Sequence, residues 1–391
     1  MRILFLNHNV ARRGGTFYRA FDIARYLVRR GHEITLLTIS ADRRWGFEVE
    51  ESEGVTIVHT PDLLCSLART GWDPWDVVNR IAYLRGKQWD IIHAWDCRPV
   101  VILPALYARY QSRSSGGKLV IDWCDWWGRG GTQAERPGRW LKLLYGPVET
   151  YFEEAFRTRA DATTVISQAL YQRALSLGVK PETIHILLQG CEVKATANGD
   201  RATARRQLGV SASQPLLLSV GALTTSEANL LFATLRELFD RLPNCRFVMI
   251  GKHGAQIPAD IKSAPQFFET GFISDTIFQL YISACDALLI PLADSLASQA
   301  RWPSKVNPFL TAGRAVVITR VGDLAHLLER ESAAVMTDCQ PKEIAERVMT
   351  LINDPALQVQ CERQALRVSR DLLAWPLLVG QLEKLYRLIR G

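Results

Sequence analysis

The chain has 391 residues, 48% of them hydrophobic and 22% charged, and a formal net charge of +7. That length is about twice a usual domain and that composition is globular, which implies two domains and excludes a dominantly disordered chain. The positive balance calls for an anionic partner, such as a nucleotide phosphate or a lipid headgroup. With no Lys/Arg run, zinc-finger or helix-turn-helix pattern, nucleic acid is set aside as the main ligand.

In chain order, Arg2–Asn7 reads as a short buried strand, its apolar core too short for a secretory leader. Thr16–Arg30 carries Phe17, Ala20, Phe21, Ile23, Ala24, Leu27 and Val28 at helical spacing and stops at Gly31. Strands are expected at Glu33–Thr38, Val55–His59, Trp89–Ala94, Lys118–Asp122, Ala162–Ile166 and Ile184–Leu188, with helices between them. This order predicts a parallel sheet covered on both faces. Asn198–Gln214 turns polar and reads as the interdomain linker, with a short helix at Arg201–Leu208. A second series follows, with strands at 215–220, 246–250, 267–269, 287–290, 315–318 and 333–336. Helices are expected at 227–241, 275–284 and 341–353. The expected domains are therefore 1–197 and 198–372, with a closing helix in 373–391. Both are α/β, doubly wound and Rossmann-like, and ligands are expected in a cleft at the strand C-termini.

The eight cysteines, Cys65 the first of them, form no CxxC pair and no zinc-spaced cluster. Free buried thiols in a reducing cytoplasm are the expectation. No run of about 18 apolar residues predicts a membrane span.

Asp286–Thr319 carries two buried strands around a polar loop with Arg301, Ser304 and Lys305, then a helix over about 305–311 ending at Gly313. A strand emptying into a basic loop and a helix start reads as an anion site.

With this order in hand, the chain resembles the glycosyltransferases of GT-B fold, closest to the large family four of retaining enzymes. ILFLNHNVARRGGTFYRAFDIARYLVRRGHEITLLT is similar to that family's opening strand, glycine loop, helix and second strand. WDIIHAWDCRP, TRADATTVIS, ACDALLIPL, KVNPFLTAGRAVVIT and VGD follow in the family's order. The resemblance implies a donor-binding second domain, an acceptor-binding first domain and transfer without a bound metal. The co-substrate it implies is a nucleotide-diphosphate sugar, with UDP or GDP as the nucleotide. The acceptor it implies is a glycan or lipid-linked molecule, in the setting of cell-envelope polysaccharide synthesis.

Gly14 and Gly15 let backbone amides approach a phosphate or sugar; a plain strand-to-helix turn is the other reading. His93 and Asp96, at a strand end, are candidate acceptor contacts, and a helix cap is an equal use of Asp96. Asp122-Trp123-Cys124-Asp125-Trp126-Trp127-Gly128-Arg129-Gly130-Gly131 joins carboxylates, sugar-stacking aromatics and loop glycines. By the resemblance, Asp125 is the first candidate for the acceptor hydroxyl and Asp122 the second, with Trp126 and Arg129 beside them. In the second domain it puts Lys252 of the Gly251–Gly254 loop, Phe272 and Ile273 near the nucleotide. Arg139–Arg159 alternates apolar and basic residues, which suits either a peripheral membrane contact or a surface helix packed on its own domain.

The chain also departs from the family. Two glutamates expected eight positions apart are replaced near Arg301 and at Pro308, and GALTTSEANLL lacks the expected Arg and Lys. Arg301 and Lys305 remain as cations for the leaving diphosphate, with Ser304 beside them. Asn307 or Asp294 is then the group left to bond ribose or sugar. A sugar-nucleotide epimerase and a non-catalytic sugar-nucleotide-binding subunit are the alternative functions.

Overall fold

The computed structural model describes residues 1–42, 45–64, 70–135, 139–193, 200–252 and 254–391. Cys65, His253 and the side chains of Trp140, Leu141 and Leu144 lie outside the described residues. The chain divides into two units, 1–189 with 375–391, and 190–374.

The first unit is built on β1 (Arg2–Val10), β2 (Glu33–Ile39), β3 (Glu48–Ser52), β4 (Val55–Thr60), β5 (Ile91–Trp95), β6 (Lys118–Trp123), β7 (Ala162–Val165) and β8 (Ile184–Ile186). They form one eight-stranded sheet in the order β3-β4-β2-β1-β5-β6-β7-β8. β1 is buried along nearly its whole length and apolar over Ile3–Leu6, as a central strand covered on both faces must be, and it pairs in parallel with β2 and β5. The expected all-parallel sheet needs one correction: β3 pairs antiparallel to β4 at the edge. Its sequence, EVEES, has no apolar run to announce a strand, and its charges suit an exposed edge.

The helix Gly15–Val28 turns Phe17, Ala20, Ile23, Ala24 and Leu27 into the core. The last helix, Trp375–Arg390, adds Trp375, Leu378, Val379, Leu382 and Tyr386 to the same cluster. Arg19 locks this unit together. Its guanidinium donates to both oxygens of Asp122 at 3.1 and 3.2 Å, and to the carbonyls of Leu187 and Leu188 at 2.6 and 2.9 Å.

The second unit holds β9 (Leu216–Val220), β10 (Arg246–Ile250), β11 (Phe267–Gly271), β12 (Ala287–Ile290), β13 (Ala315–Thr319) and β14 (Val335–Thr337). They form a six-stranded sheet in the order β11-β10-β9-β12-β13-β14, with parallel pairings throughout the described ladder. The helix Arg201–Gln207, expected in the linker, belongs here instead. Arg205 pairs with Asp286 at 3.0 Å, and Asp286 also accepts from the Leu216 amide at the start of β9. The unit boundaries at 190 and 374 differ accordingly from the expected 198 and 372.

The described cysteines, Cys97 and Cys285 among them, are free. Among the described residues no helix is long and apolar enough to cross a membrane.

Removing Arg19 leaves Asp122 buried and uncompensated. Arg19→Met is expected to cost the first unit about 3–5 kcal/mol, read by urea denaturation.

Candidate functional site

The parallel strands of the first unit deliver β1, β5 and β6 to one edge of the sheet, where their C-terminal ends surround a cavity of about 160 Å³. His8 comes from β1, Asp96 and Arg98 from the end of β5, and Cys124, Asp125 and Trp127 from the segment after β6. Thr16, in the first helix, also lines it, its Oγ1 3.7 Å from Cys124 Sγ. Gly14 sets the entry to that helix. Its φ is +83°, and a Cβ there would lie 2.6 Å from Asn9 Nδ2. No atom stands within 4 Å of a Cβ at Gly15, so only Gly14 is required by space.

Asp96 has φ +99°, a left-handed conformation in a residue with a side chain. Such strain costs about 1–3 kcal/mol and gathers at functional sites. Its carboxylate accepts from the Cys97 amide at 2.6 Å and from Trp127 Nε1 at 2.9 Å. Arg98, His8 and Arg157 lie at 3.4, 3.7 and 3.8 Å. Asp125 is exposed on the cavity rim.

The backbone of segment 122–131 is held by a buried carboxylate. Glu153 accepts from the backbone amides of Trp127 and Gly128 at 2.7 and 2.8 Å, and burial pushes its carboxyl up to about 7. A Cβ at Gly128 would meet Glu153 Oε2 at 2.3 Å, and one at Gly131 would meet the Trp126 carbonyl at 2.0 Å. The glycines are there for close approach. Trp123 and Trp127 are buried core residues, against the expectation of sugar-stacking aromatics along this run. Trp126 is half-buried, donates to the Arg129 carbonyl at 2.8 Å and lies under the Arg173 guanidinium. Arg129 is exposed, its amide donating to Thr150 Oγ1.

Two candidates fall inside the core rather than at the cavity. Asp122 is 1% exposed, spent on Arg19 and on Thr164 Oγ1 at 2.6 Å. His93 is wholly buried, stacked on Trp95, with Nδ1 2.5 Å from the Tyr386 hydroxyl. Burial lowers its pKa to about 3, so it stays neutral and clasps the last helix.

In the second unit, β9 ends at Gly221, φ +75°, and a short turn leads into the helix Thr225–Arg241. Thr224 and Glu227 close a capping box at its start. Against this turn come Lys305, whose Nζ donates to the Ala222 carbonyl at 3.2 Å, and Arg301, whose guanidinium pairs with Glu227. Burial lowers the pKa of Lys305 to about 8, with Glu227 raising it and Arg301 lowering it. The helix expected over 305–311 is shorter, a 3-10 turn at Ser304–Val306 followed by Asn307–Thr311. Ser304 is exposed. Asp294 is exposed and accepts from Gln299 Nε2 at 2.8 Å. Asn307 is not open to a ligand: it is 7% exposed and its Nδ2 donates to the Gly190 carbonyl at 2.6 Å. Lys252 is exposed, Ile273 half-buried, and Phe272 is 85% exposed just beyond the end of β11.

His8, Glu153 and Glu227 were missed in the sequence. Only Glu227 had a local signal there, the Thr-x-x-Glu pattern of a capping box.

Residues 13–194 match the family model described as Glycosyltransferase Family 4, and residues 214–354 match the one described as Glycosyl transferases group 1. Among solved structures, sucrose-phosphate synthase from Thermosynechococcus elongatus superposes with a TM-score of 0.74 at 17% identity, over 99% of this chain and 98% of that one. Anabaena HepE in complex with UDP-glucose gives 0.72 at 16% identity, over 99% of both chains. WaaG, a glycosyltransferase involved in lipopolysaccharide biosynthesis, gives 0.70 at 17% identity over 100% of both. At these identities the likeness is one of fold. No curated protein matches the chain by sequence.

The state of His93 yields a pH prediction. Its pKa is about 3 folded and 6.5 unfolded, so the unfolded chain binds the extra proton between those values. Stability from this group is complete above pH 6.5 and is lost on acidification, by about 1.4 kcal/mol per pH unit. The difference in unfolding free energy between wild type and His93→Leu, measured from pH 7 to 4, should shrink with that slope.

Proposed function

This chain belongs to the glycosyltransferases of GT-B fold, with a family 4 first part and a group 1 second part, and we propose that it moves a hexosyl group from a nucleotide-diphosphate sugar to a hydroxyl of a glycan or lipid-linked acceptor. In this reading the second unit takes the donor and the first unit the acceptor. The observation that carries it is the pair of cations, Arg301 and Lys305, gathered at the turn after β9.

When the bond from the sugar's anomeric carbon to the diphosphate breaks, negative charge grows on the departing oxygen. Two fixed cations stabilise that charge more than they stabilise the intact donor, which lowers the barrier. Exposed Phe272 offers its ring to the nucleotide base, with Lys252 and Ile273 on neighbouring turns of the same unit. Gly14 and Gly15 offer backbone amides to a sugar or phosphate group within the first unit. Asp125 accepts a hydrogen bond from the acceptor hydroxyl, while Asp96 and His8 form the polar floor of its pocket. The proposal includes retention of configuration, transfer without a resident metal and a cytoplasmic setting. It also includes peripheral contact with an anionic membrane through the helix Arg139–Glu154, where Leu143, Tyr145, Val148 and Tyr151 are exposed.

HepE has been solved with UDP-glucose, so UDP-glucose is the first donor to try, followed by GDP- and ADP-sugars. One of them should raise the melting temperature and be turned over with an acceptor panel, product NMR reporting the anomeric configuration. Arg301→Ala is expected to weaken donor binding about tenfold to a hundredfold, the worth of a charged hydrogen bond. If no nucleotide sugar stabilises the protein and Arg301→Ala changes nothing, the reading is wrong. Asp125→Asn should raise the acceptor KM about tenfold and leave donor protection unchanged.

A further inference from the structure

We infer that Glu227 is a positioning residue for the diphosphate, acting through the two cations beside it, Arg301 and Lys305. The inference rests on the reading of the second unit as the donor site.

Glu227 lies in the first turn of the helix Thr225–Arg241, and its side chain is 1% exposed. One carboxylate oxygen accepts from the Thr224 amide at 2.9 Å, which is all that a capping box requires. The other oxygen does something a cap does not need. It takes the guanidinium of Arg301, which arrives from the segment after β12. That single contact fixes where the Arg301 fork stands relative to the turn after β9. It does not exhaust the fork: Arg301 Nε is buried without a hydrogen-bond partner, while other atoms of the side chain leave it 23% exposed. Unspent donors on a guanidinium held from one side are suited to a phosphate approaching from the other.

The same carboxylate bears on Lys305. That ammonium is desolvated, which disfavours its charge, and Arg301 disfavours it further; Glu227 is the group that opposes both. Among the described residues, Glu227 and Arg301 are the charged neighbours that bear on its titration. One buried carboxylate therefore lets two cations stand together without a ligand, and leaves an excess positive charge for an anion to meet. A residue that only capped the helix would have neither effect.

The test separates the two roles. UDP and GDP affinities of the full-length protein are measured by calorimetry from pH 7 to 9.5, a range in which a terminal phosphate with a pKa of about 6 is already ionised. Wild type should lose affinity as pH rises through about 8, where Lys305 gives up its proton. Glu227→Gln retains the capping box, because Gln serves at that position as well. It should nevertheless bind at least fivefold more weakly at pH 7, with its alkaline limb moved to lower pH by on the order of one unit. Thr224→Ala is the structural control: it breaks the same box without touching the Arg301 contact, and should lower the melting temperature while leaving the limb in place. If Glu227→Gln keeps wild-type affinity and limb, or if Thr224→Ala moves the limb equally, Glu227 is only a cap and the inference is overturned. If wild type binds neither nucleotide, the donor-site reading fails, and the inference with it.

Discussion

The first unit's site depends on one buried ion pair. Arg19 is carried by the first helix and Asp122 by the end of β6, and the same guanidinium reaches the two carbonyls that follow β8. Three elements far apart in sequence are thereby fixed at one point under the cavity. Thr16 stands one turn before Arg19, and Cys124 and Asp125 lie just beyond Asp122, so the walls of the cavity inherit their positions from this contact. Arginine is suited to the task because its planar fork meets a carboxylate and two carbonyls together, which a lysine ammonium on a flexible stem does not. Such a pair adds little net stability over an apolar contact of equal volume, yet losing one member is severe. It therefore specifies geometry more than it stabilises.

The strands were legible because central strands of a parallel sheet are buried on both faces and read as unbroken apolar runs, as in ILFL, ITLL and ALLI. The edge strand Glu48–Ser52 was not, since nothing apolar marks it and only its partner Val55–Thr60 defines it. The candidate site was half legible for a related reason. Strand ends point to the right edge of the sheet, but side chains alternate in direction along a strand, and the sequence does not tell an inward carboxylate from an outward one. Asp122 and Asp125 look equivalent in sequence. What separates them is Arg19, 103 residues away from Asp122 in the chain. His93 was misplaced in the same way, its partner Tyr386 lying 293 residues on.

In the second unit the sequence disclosed the cations but not their arrangement. Arg301 and Lys305 stand out in a polar loop, whereas Glu227 looks like an ordinary helix-start acid and does serve as one. Two roles met by a single carboxylate leave only the commoner one visible in the pattern. The consequence is electrostatic. Two cations near each other on a partly desolvated turn repel, and Coulomb interactions there are several times stronger than in water. The carboxylate holds the two cations in place, so in the proposed reading little reorganisation is required of them to meet a diphosphate.

Asp96 shows how the first unit divides labour between its two carboxylates. The left-handed φ of Asp96 would cost nothing in a glycine, so the strain is kept for the sake of the side chain. That side chain meets two N–H donors and has three basic groups within 3.8 Å, one of them the wholly buried Arg157. Relaxing the backbone to an extended φ would turn the carboxylate away from all of them and leave Glu153 as the carboxylate beside Arg157. The strain is the cost of keeping negative charge at the floor of the cavity. A carboxylate so heavily engaged is poorly placed to form a new short bond to a substrate. Asp125, on the exposed rim, is not held in that cage. The floor carboxylate sets the field beside His8, and in the proposed reading it is the rim carboxylate that meets the acceptor hydroxyl.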